Sequence, residues 1–396
     1  MQKLLRLFFL LGLTFLPAIL QAQRDVVVDI FVDKNTIPVR VSANNSELNA
    51  LAQQAFGVHG RYKLVAADYA YDIKFSLLTP TQVRVDITKG KGAGVPFSSD
   101  TATGSSSRNA LLKAADIAVT KTNALGLKGF FTAKLAFIRD LGRAKEVCVA
   151  DLLFGEVKQL THDNAAALTP RWAPDGSKLL YTSFYKSGFP DIFQIELGSY
   201  QRTTFVSFRG TNSGAHFSPN GSQVAMILTG EGTPEVYTSN AQGRQVTRRT
   251  RSDAVKSSPC FSPDSGRLVF AMQPGPQLHV MPAGGGTPQR LVSGFNYNAE
   301  PDWNMTKPNL IACTVKSGSG YQIAVYDFSK GKAEVVSKAP FDGVEPSWLD
   351  DGRHLVYTAR TRTESRICVL DTETGKSVAV SPKTFGNASQ ASVWTP

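Results

Sequence analysis

One short phrase recurs along this chain, and it restricts the fold more than any other feature. In P-R-W-A-P-D-G-S-K-L-L-Y-T-S, residues 170–183, an extended segment ends at Trp172, Pro174-Asp175-Gly176 reverses the chain, and apolar residues resume from Leu179 to Tyr181. This pattern spells two antiparallel strands joined by a tight hairpin. Pro presets φ for a type I turn, Asp bonds back to the backbone, and Gly takes the left-handed position that closes the bulge. The phrase returns at Phe217 with Ser218-Pro219-Asn220-Gly221 and at Phe261 with Ser262-Pro263-Asp264-Ser265-Gly266. Worn copies follow Trp303 and Trp348, and a sixth aromatic, Trp394, stands near the end.

The aromatics Trp172, Phe217, Phe261, Trp303, Trp348 and Trp394 are separated by 45, 44, 42, 45 and 46 residues. That period suits a four-stranded blade and is too long for most helical repeats. Two further strands follow in each period, at residues 191–195, 235–238, 278–281, 322–326 and 366–370. Four strands per repeat predicts a β-propeller. Residues 130–160 supply three strands with no aromatic inner strand before them, whereas residues 390–394 form an inner strand with nothing after it. Joined, the fragments make one blade, so the expected architecture is mainly β: a six-bladed propeller over residues 130–396, closed by the C-terminal strand. Such a ring leaves only short, protected sheet edges.

Residues 1–22 differ in kind. Lys3 and Arg6 precede an apolar run from Leu7 to Leu20, and Gln21-Ala22 offers a small residue for cleavage, the layout of a secretory signal peptide. The run is shorter than the roughly 18 residues that a spanning helix needs, which argues against a membrane anchor. An exported, soluble protein is expected, cleaved near Ala22. Losing Lys3 and Arg6 would lower the formal charge of +11 by two. Arg244, Arg248, Arg249 and Arg251 cluster near one hairpin, as an attraction to an anionic surface or as a solvated loop. The four cysteines, Cys148, Cys260, Cys313 and Cys368, lack C-x-x-C spacing and read as small core residues.

Residues 23–129 do not follow the period and predict a small α/β domain. Residues 25–32 alternate as a strand, Ser46 can cap a helix with Leu48, Leu51, Ala52, Ala55 and Phe56 on one face, and residues 62–65, 71–78 and 82–88 read as strands. The Gly/Ser-rich span 89–106 is expected to be a loop, followed by a helix over residues 108–125 capped by Ser107 and stopped by Gly126.

These motifs together resemble the TolB family, periplasmic propellers of the Tol-Pal system. The shared features are the Pro-x-Trp-x-Pro-Asp-Gly repeat, a closing strand ending in V-W-T-P, an α/β domain ahead of the ring and a signal peptide. The resemblance spans nearly the whole mature chain and implies a scaffold without chemistry of its own. It implies a Pal-like lipoprotein bound at one mouth of the channel, and a TolA-like inner-membrane protein bound by the mature N-terminal segment, in support of outer-membrane integrity and cell division. The entry N-A-E-P-D-W, with Asn298 and Glu300, looks like the strand that faces Pal, V-E-P-S-W repeats it with Glu345, and Asn212 sits in a similar loop. Asp25, Val27 and Asp29 fall in the segment that would meet TolA, although Ile30-Phe31-Val32 makes it bulkier and more apolar than the family's.

Glu300 and Glu345 are expected to act as acceptors for a partner's N–H groups or cations, or else to line a hydrated channel. A peptidase of the prolyl oligopeptidase kind would need a G-x-S-x-G elbow with Asp and His partners, and Gly318-Ser319-Gly320 lacks that context. The histidines His59, His162, His216, His279 and His354 have no H-x-x-x-H spacing, and those beside hairpins read as surface or packing residues. No cofactor, metal or nucleic acid is expected, and the protein is expected to be a monomer peripheral to the outer membrane. The alternative is an exported sensor, or a carbohydrate-binding or lyase-type propeller whose site is gathered from separate loops.

Overall fold

The computed structural model describes residues 36–90 and 95–396. The signal segment, the strand expected at residues 25–32, and Asp25, Val27 and Asp29 lie outside the described residues. Five strands come first: β1 (Ile37–Ala43), β2 (Tyr62–Leu64), β3 (Tyr71–Thr79), β4 (Gln82–Lys89) and β5 (Ser98–Thr103), in sheet order β2-β1-β3-β4-β5. β1 runs parallel to β2 and β3, and β3, β4 and β5 are antiparallel. Helices α1 (Ser46–Val58) and α2 (Ser107–Thr122) cover this sheet, and their apolar stripes meet the alternating Val83, Val85 and Ile87.

Three local expectations need correction. Asn45, not Ser46, caps α1: its backbone is extended and its Oδ1 accepts the Leu48 N–H at 3.1 Å, while Ser46 is already helical. Ser106 caps α2, which stops at Thr122 because the Asn123 side chain takes over, accepting the N–H groups of Leu125 and Leu127 at 2.7 and 3.0 Å. The Gly/Ser-rich span contains strand β5. Only Ala102 of β5 is buried, because the strand is an edge that presents one narrow face to α2, so it lacks the apolar alternation by which strands are recognised.

The remaining sheets are six, each of four strands. Blades 1 to 5 begin on the inner strands Ala167–Trp172, Asn212–Phe217, Lys256–Phe261, Asn298–Trp303 and Asp342–Trp348. Blade 6 is composite: the C-terminal strand Asn387–Trp394 pairs antiparallel with Lys134–Asp140, from Asn387 opposite Asp140 to Trp394 opposite Lys134. The ring therefore closes as expected. Trp394, however, is one residue past the position of the other blade aromatics. Trp172, Phe217, Phe261, Trp303 and Trp348 pair with the second residue of the second strand, a place held in blade 6 by Val393, opposite Leu135. The final spacing of 46 residues carries this offset.

The offset has a use. The Trp394 ring crosses to blade 1, stacks on Trp172 at 5.6 Å, and donates from Nε1 to the Pro174 carbonyl at 3.0 Å. It lies against Gly176, where an added Cβ would stand 2.3 Å from the indole. Trp172 answers by donating to the Ser392 carbonyl at 3.2 Å. The first Pro-Asp-Gly turn is thus the socket for the last strand.

The α/β layer sits on the end of the ring that carries the first-to-second and third-to-fourth strand turns. Arg108 of α2 makes a bidentate pair with Asp151 at 3.0 and 3.0 Å, and the Gly60 N–H donates to His354 Nε2 at 3.0 Å. Gly60 approaches blade 5 so closely that a Cβ there would lie 2.0 Å from an Asp371 carboxylate oxygen. All four cysteines are free and buried.

Two glycines separate the seating of Trp394 from turn strain, because Gly176 and Gly221 both have φ +70° but only Gly176 has an indole against it. Gly221→Ala is expected to cost about 1–2 kcal/mol for left-handed backbone alone, and Gly176→Ala about 2 kcal/mol more for displacing Trp394. Urea unfolding midpoints measure both, and equal costs would show that Trp394 does not seat there.

Candidate functional site

Every inner strand carries one bulge, and the six bulge residues form a ring at the channel mouth: Thr169, Gly214, Ser258, Glu300, Glu345 and Gln390. Each has a left-handed backbone, with φ between +48° and +63°. At each the pairing with the second strand slips. The extra residue is turned out of the ladder, so its N–H and side chain leave their own sheet. A proline follows four of the six, as bulges permit. Five are not glycine, and left-handed backbone costs each about 1–2 kcal/mol, so neighbouring groups must hold them in place.

The neighbours are the next blades. Glu300 Oε2 accepts the Glu345 N–H at 2.9 Å, Glu345 Oε2 accepts the Gln390 N–H at 2.9 Å, and Gln390 Oε1 accepts the Thr169 N–H at 2.8 Å. Thr314 and Thr358 donate their hydroxyls to the same glutamate oxygens at 2.7 and 2.6 Å. In blade 1 the Thr182 hydroxyl alone takes the acceptor's place, receiving the Gly214 N–H at 3.2 Å. The bulge side chain of one blade therefore grips the bulge amide of the next, from blade 4 through the closing blade to blade 1. Burial first, and then the nearby Glu345 carboxylate, push the Glu300 carboxyl above the usual range.

Two of the four ring residues singled out in the sequence are placed at this mouth, Glu300 and Glu345, and they hold the ring as well as line it. Asn212 and Asn298 are wholly buried and lock the linkers that enter their blades. Asn212 Nδ2 donates to Asp191 at 3.1 Å and to the Phe208 carbonyl at 2.8 Å, and Asn298 Nδ2 donates to Gln277 at 3.2 Å and the Phe295 carbonyl at 3.0 Å. Thr169 also belongs to the ring, three residues before its aromatic as Glu300 and Glu345 are, and Gln390 is hidden by standing four before Trp394 and three before Val393.

Two residues beyond each bulge lies a second ring: Arg171, His216, Cys260, Asp302, Ser347 and Ser392. Arg171 and His216 line both a cavity of about 380 Å³ at the Glu300–Glu345 mouth and one of about 410 Å³ toward the opposite end. Burial, then Arg171, holds His216 down at about 3, so it is a neutral ring at physiological pH. Burial pushes the Asp302 carboxyl up to about 6, against the pull of the Trp348 N–H that it accepts at 2.7 Å. Two of the four clustered arginines are engaged locally, Arg248 with Glu231 and Glu235 and Arg249 with Thr238 and the Gly284 carbonyl, while Arg244 and Arg251 are exposed.

His59, Asp351 and His354 gather at the junction of the α/β layer and blade 5, close enough to suggest a metal site. Their protons argue otherwise. His354 Nδ1 bonds Asp351 at 2.5 Å and its Nε2 accepts the Gly60 N–H, while His59 Nδ1 accepts the Arg61 N–H at 3.2 Å. A metal on His59 Nε2 or His354 Nδ1 would require a proton on the nitrogen that is already accepting one. The cluster is therefore a buried hinge of hydrogen bonds and edge-to-face rings, with His59 and His354 centred 4.4 Å apart.

The sequence profile of the TolB beta propeller domain matches residues 123–396. The Tol-Pal system proteins TolB of Bordetella parapertussis and Bordetella pertussis are each 28% identical to the chain over 261 residues, covering 62% of it and 56% of each relative. The aligned chain thus spans little more than half the length of those relatives. The crystal structure of TolB from Acinetobacter baumannii shares the fold at a TM-score of 0.79, over 90% of this chain and 96% of that one, with 20% identity. Among the described residues no helix is long and apolar enough to cross a membrane.

Because Gln390 performs the glutamates' role with an amide oxygen, Glu345→Gln is expected to change stability by less than about 0.5 kcal/mol. Glu345→Ala strands the Thr358 hydroxyl and should cost about 1–3 kcal/mol in urea unfolding. Glu300 titrates above its ordinary value of 4.5. Its contribution is therefore fully present below pH 4.5 and is lost as pH rises through the raised value. Melting temperature should fall over that window in the wild type, and Glu300→Gln should flatten the slope; an unchanged slope would place the carboxyl elsewhere.

Proposed function

The chain belongs to the TolB β-propeller family, and from that premise we propose that it is a non-catalytic periplasmic scaffold, which docks a Pal-like lipoprotein at the Glu300–Glu345 mouth. The observation that carries the reading is an asymmetry between the two ends of the ring. One end carries the α/β layer, which is seated on blades 5 and 6. At the other end, inner strands begin and second strands turn into third, and large apolar side chains stand exposed on those linkers and turns: Phe189 at 68%, Phe341 at 55%, Phe208 at 52% and Leu141 at 50%. Apolar groups spread around a polar mouth are the composition of a protein-binding surface, with anchors outside and hydrogen-bonding specificity at the centre.

In this reading Glu300 and Glu345 give the mouth its acceptors, and their carboxylates serve the ring and a partner's donors together. Residues 1–22 direct export. The segment holding Asp25, Val27 and Asp29 is the contact for a TolA-like inner-membrane protein. The protein acts as a monomer at the inner surface of the outer membrane, supporting envelope integrity and cell division.

The test is capture of purified peptidoglycan-associated lipoprotein from the same cells by the immobilised mature protein. Wild type should retain it, and Phe189→Asp with Phe208→Asp should lose it. Glu300→Gln with Glu345→Gln, which keeps the ring intact, should weaken retention by about 10-fold or more. Absence of wild-type retention would remove the partner, and undiminished retention by both double variants would move the site off this mouth.

A further inference from the structure

The waist of the channel contains a cation with no carboxylate in hydrogen-bonding reach, although Asp302 across the channel feels its charge. Arg171 belongs to blade 1 and points into the void shared by both cavities. Its guanidinium reaches only the carbonyl of Pro170, at 3.4 Å, and no carboxylate among the described residues pairs with it. By contrast, Arg353 is locked on Asp371, Lys256 on Glu235, and Arg202 on Asp163. Asp302 stands three blades away, on the facing wall, with its Oδ2 held by the Trp348 amide.

The cavity of about 410 Å³ beside Arg171 is within the range of small-molecule sites. It is walled by Trp172, Trp394, Phe217, Pro219 and Met305, the last 37% exposed at the hairpin end. The combination is an apolar body of space ending on one guanidinium, and a planar guanidinium fits a carboxylate with two parallel hydrogen bonds.

We infer that this chamber is a binding site for a small monocarboxylate with an apolar body, which enters from the hairpin end and pairs its carboxylate with Arg171. A single negative charge suits the site better than a phosphate dianion, because Arg171 offsets one charge and Asp302 and Asp350 both line the same chamber. The site lies at the opposite end from the lipoprotein mouth and does not depend on that reading.

Acidification provides an independent handle. The groups around Asp302 are Arg171, His216, Cys260 and Asp350. His216 is neutral above about pH 3, burial pushes the Cys260 thiol up so that it is neutral too, and burial raises Asp350. Asp302 loses its charge as pH falls through about 6, which removes repulsion toward a bound carboxylate.

The experiment is calorimetric titration of the full mature protein with N-acetylleucine and with its neutral N-methylamide. The acid should bind saturably and the amide about 10-fold more weakly or worse. Arg171→Gln should weaken the acid by a similar factor, and Arg171→Lys should restore part of it. Wild-type affinity should rise between pH 7.5 and 5.5, and Asp302→Asn should bind more tightly at pH 7.5 and lose the pH dependence. Equal affinity for acid and amide, an Arg171→Gln variant that melts normally and binds like wild type, or no saturable binding of the acid would each overturn the inference.

Discussion

The pairing of the last strand with the first strand of the ring is the contact on which the other features rest. A four-stranded blade has two edges, and six blades in a row would leave a pair of unpaired ends. Here Asn387–Trp394 completes the sheet of Lys134–Asp140 as its innermost strand, joining two segments about 250 residues apart in one blade. The same blade meets the α/β layer through Arg108 and Asp151, and Thr395 donates to the Gly129 carbonyl at 3.3 Å where the two parts meet. Closure thus fixes the ring and the layer on top of it at once.

The mouth is the second consequence. Bulges at equivalent positions place six left-handed residues around the axis, five of them strained, and strained backbone persists only where surroundings over-determine it. The carboxylate-to-amide relay from Glu300 through Glu345 and Gln390 to Thr169 crosses the closing blade, so mouth and seam share hydrogen bonds. The relay thereby ties the mouth at one end of the channel to the seam in which Trp394 packs at the other.

Much of this was legible in the sequence. A 42–46-residue period with Pro-Asp-Gly turns specifies blades, and an orphan inner strand at one end with three strands at the other specifies how they close. What stayed hidden depended on offsets of a single residue or on partners distant in sequence. Trp394 counts as a repeat aromatic until register shows Val393 in that place. Edge strand β5 buries only Ala102, so its Ser and Thr residues look like loop. Asn212 and Asn298 have the polarity of mouth residues but are spent on local linkers, which only burial reveals. Arg171 precedes a repeat tryptophan like any solvent-facing strand residue, and the ring alone turns it inward.

The C-terminal strand holds the entire ring together. Thermal unfolding of a chain ending at Gly386, compared with the full chain, tests it most directly. The shortened chain should melt lower by about 10 °C or more, with hydrogen-exchange protection lost in Lys134–Asp140 and in the inner strand of blade 1 alike. An unchanged midpoint, with both strands still protected, would contradict it.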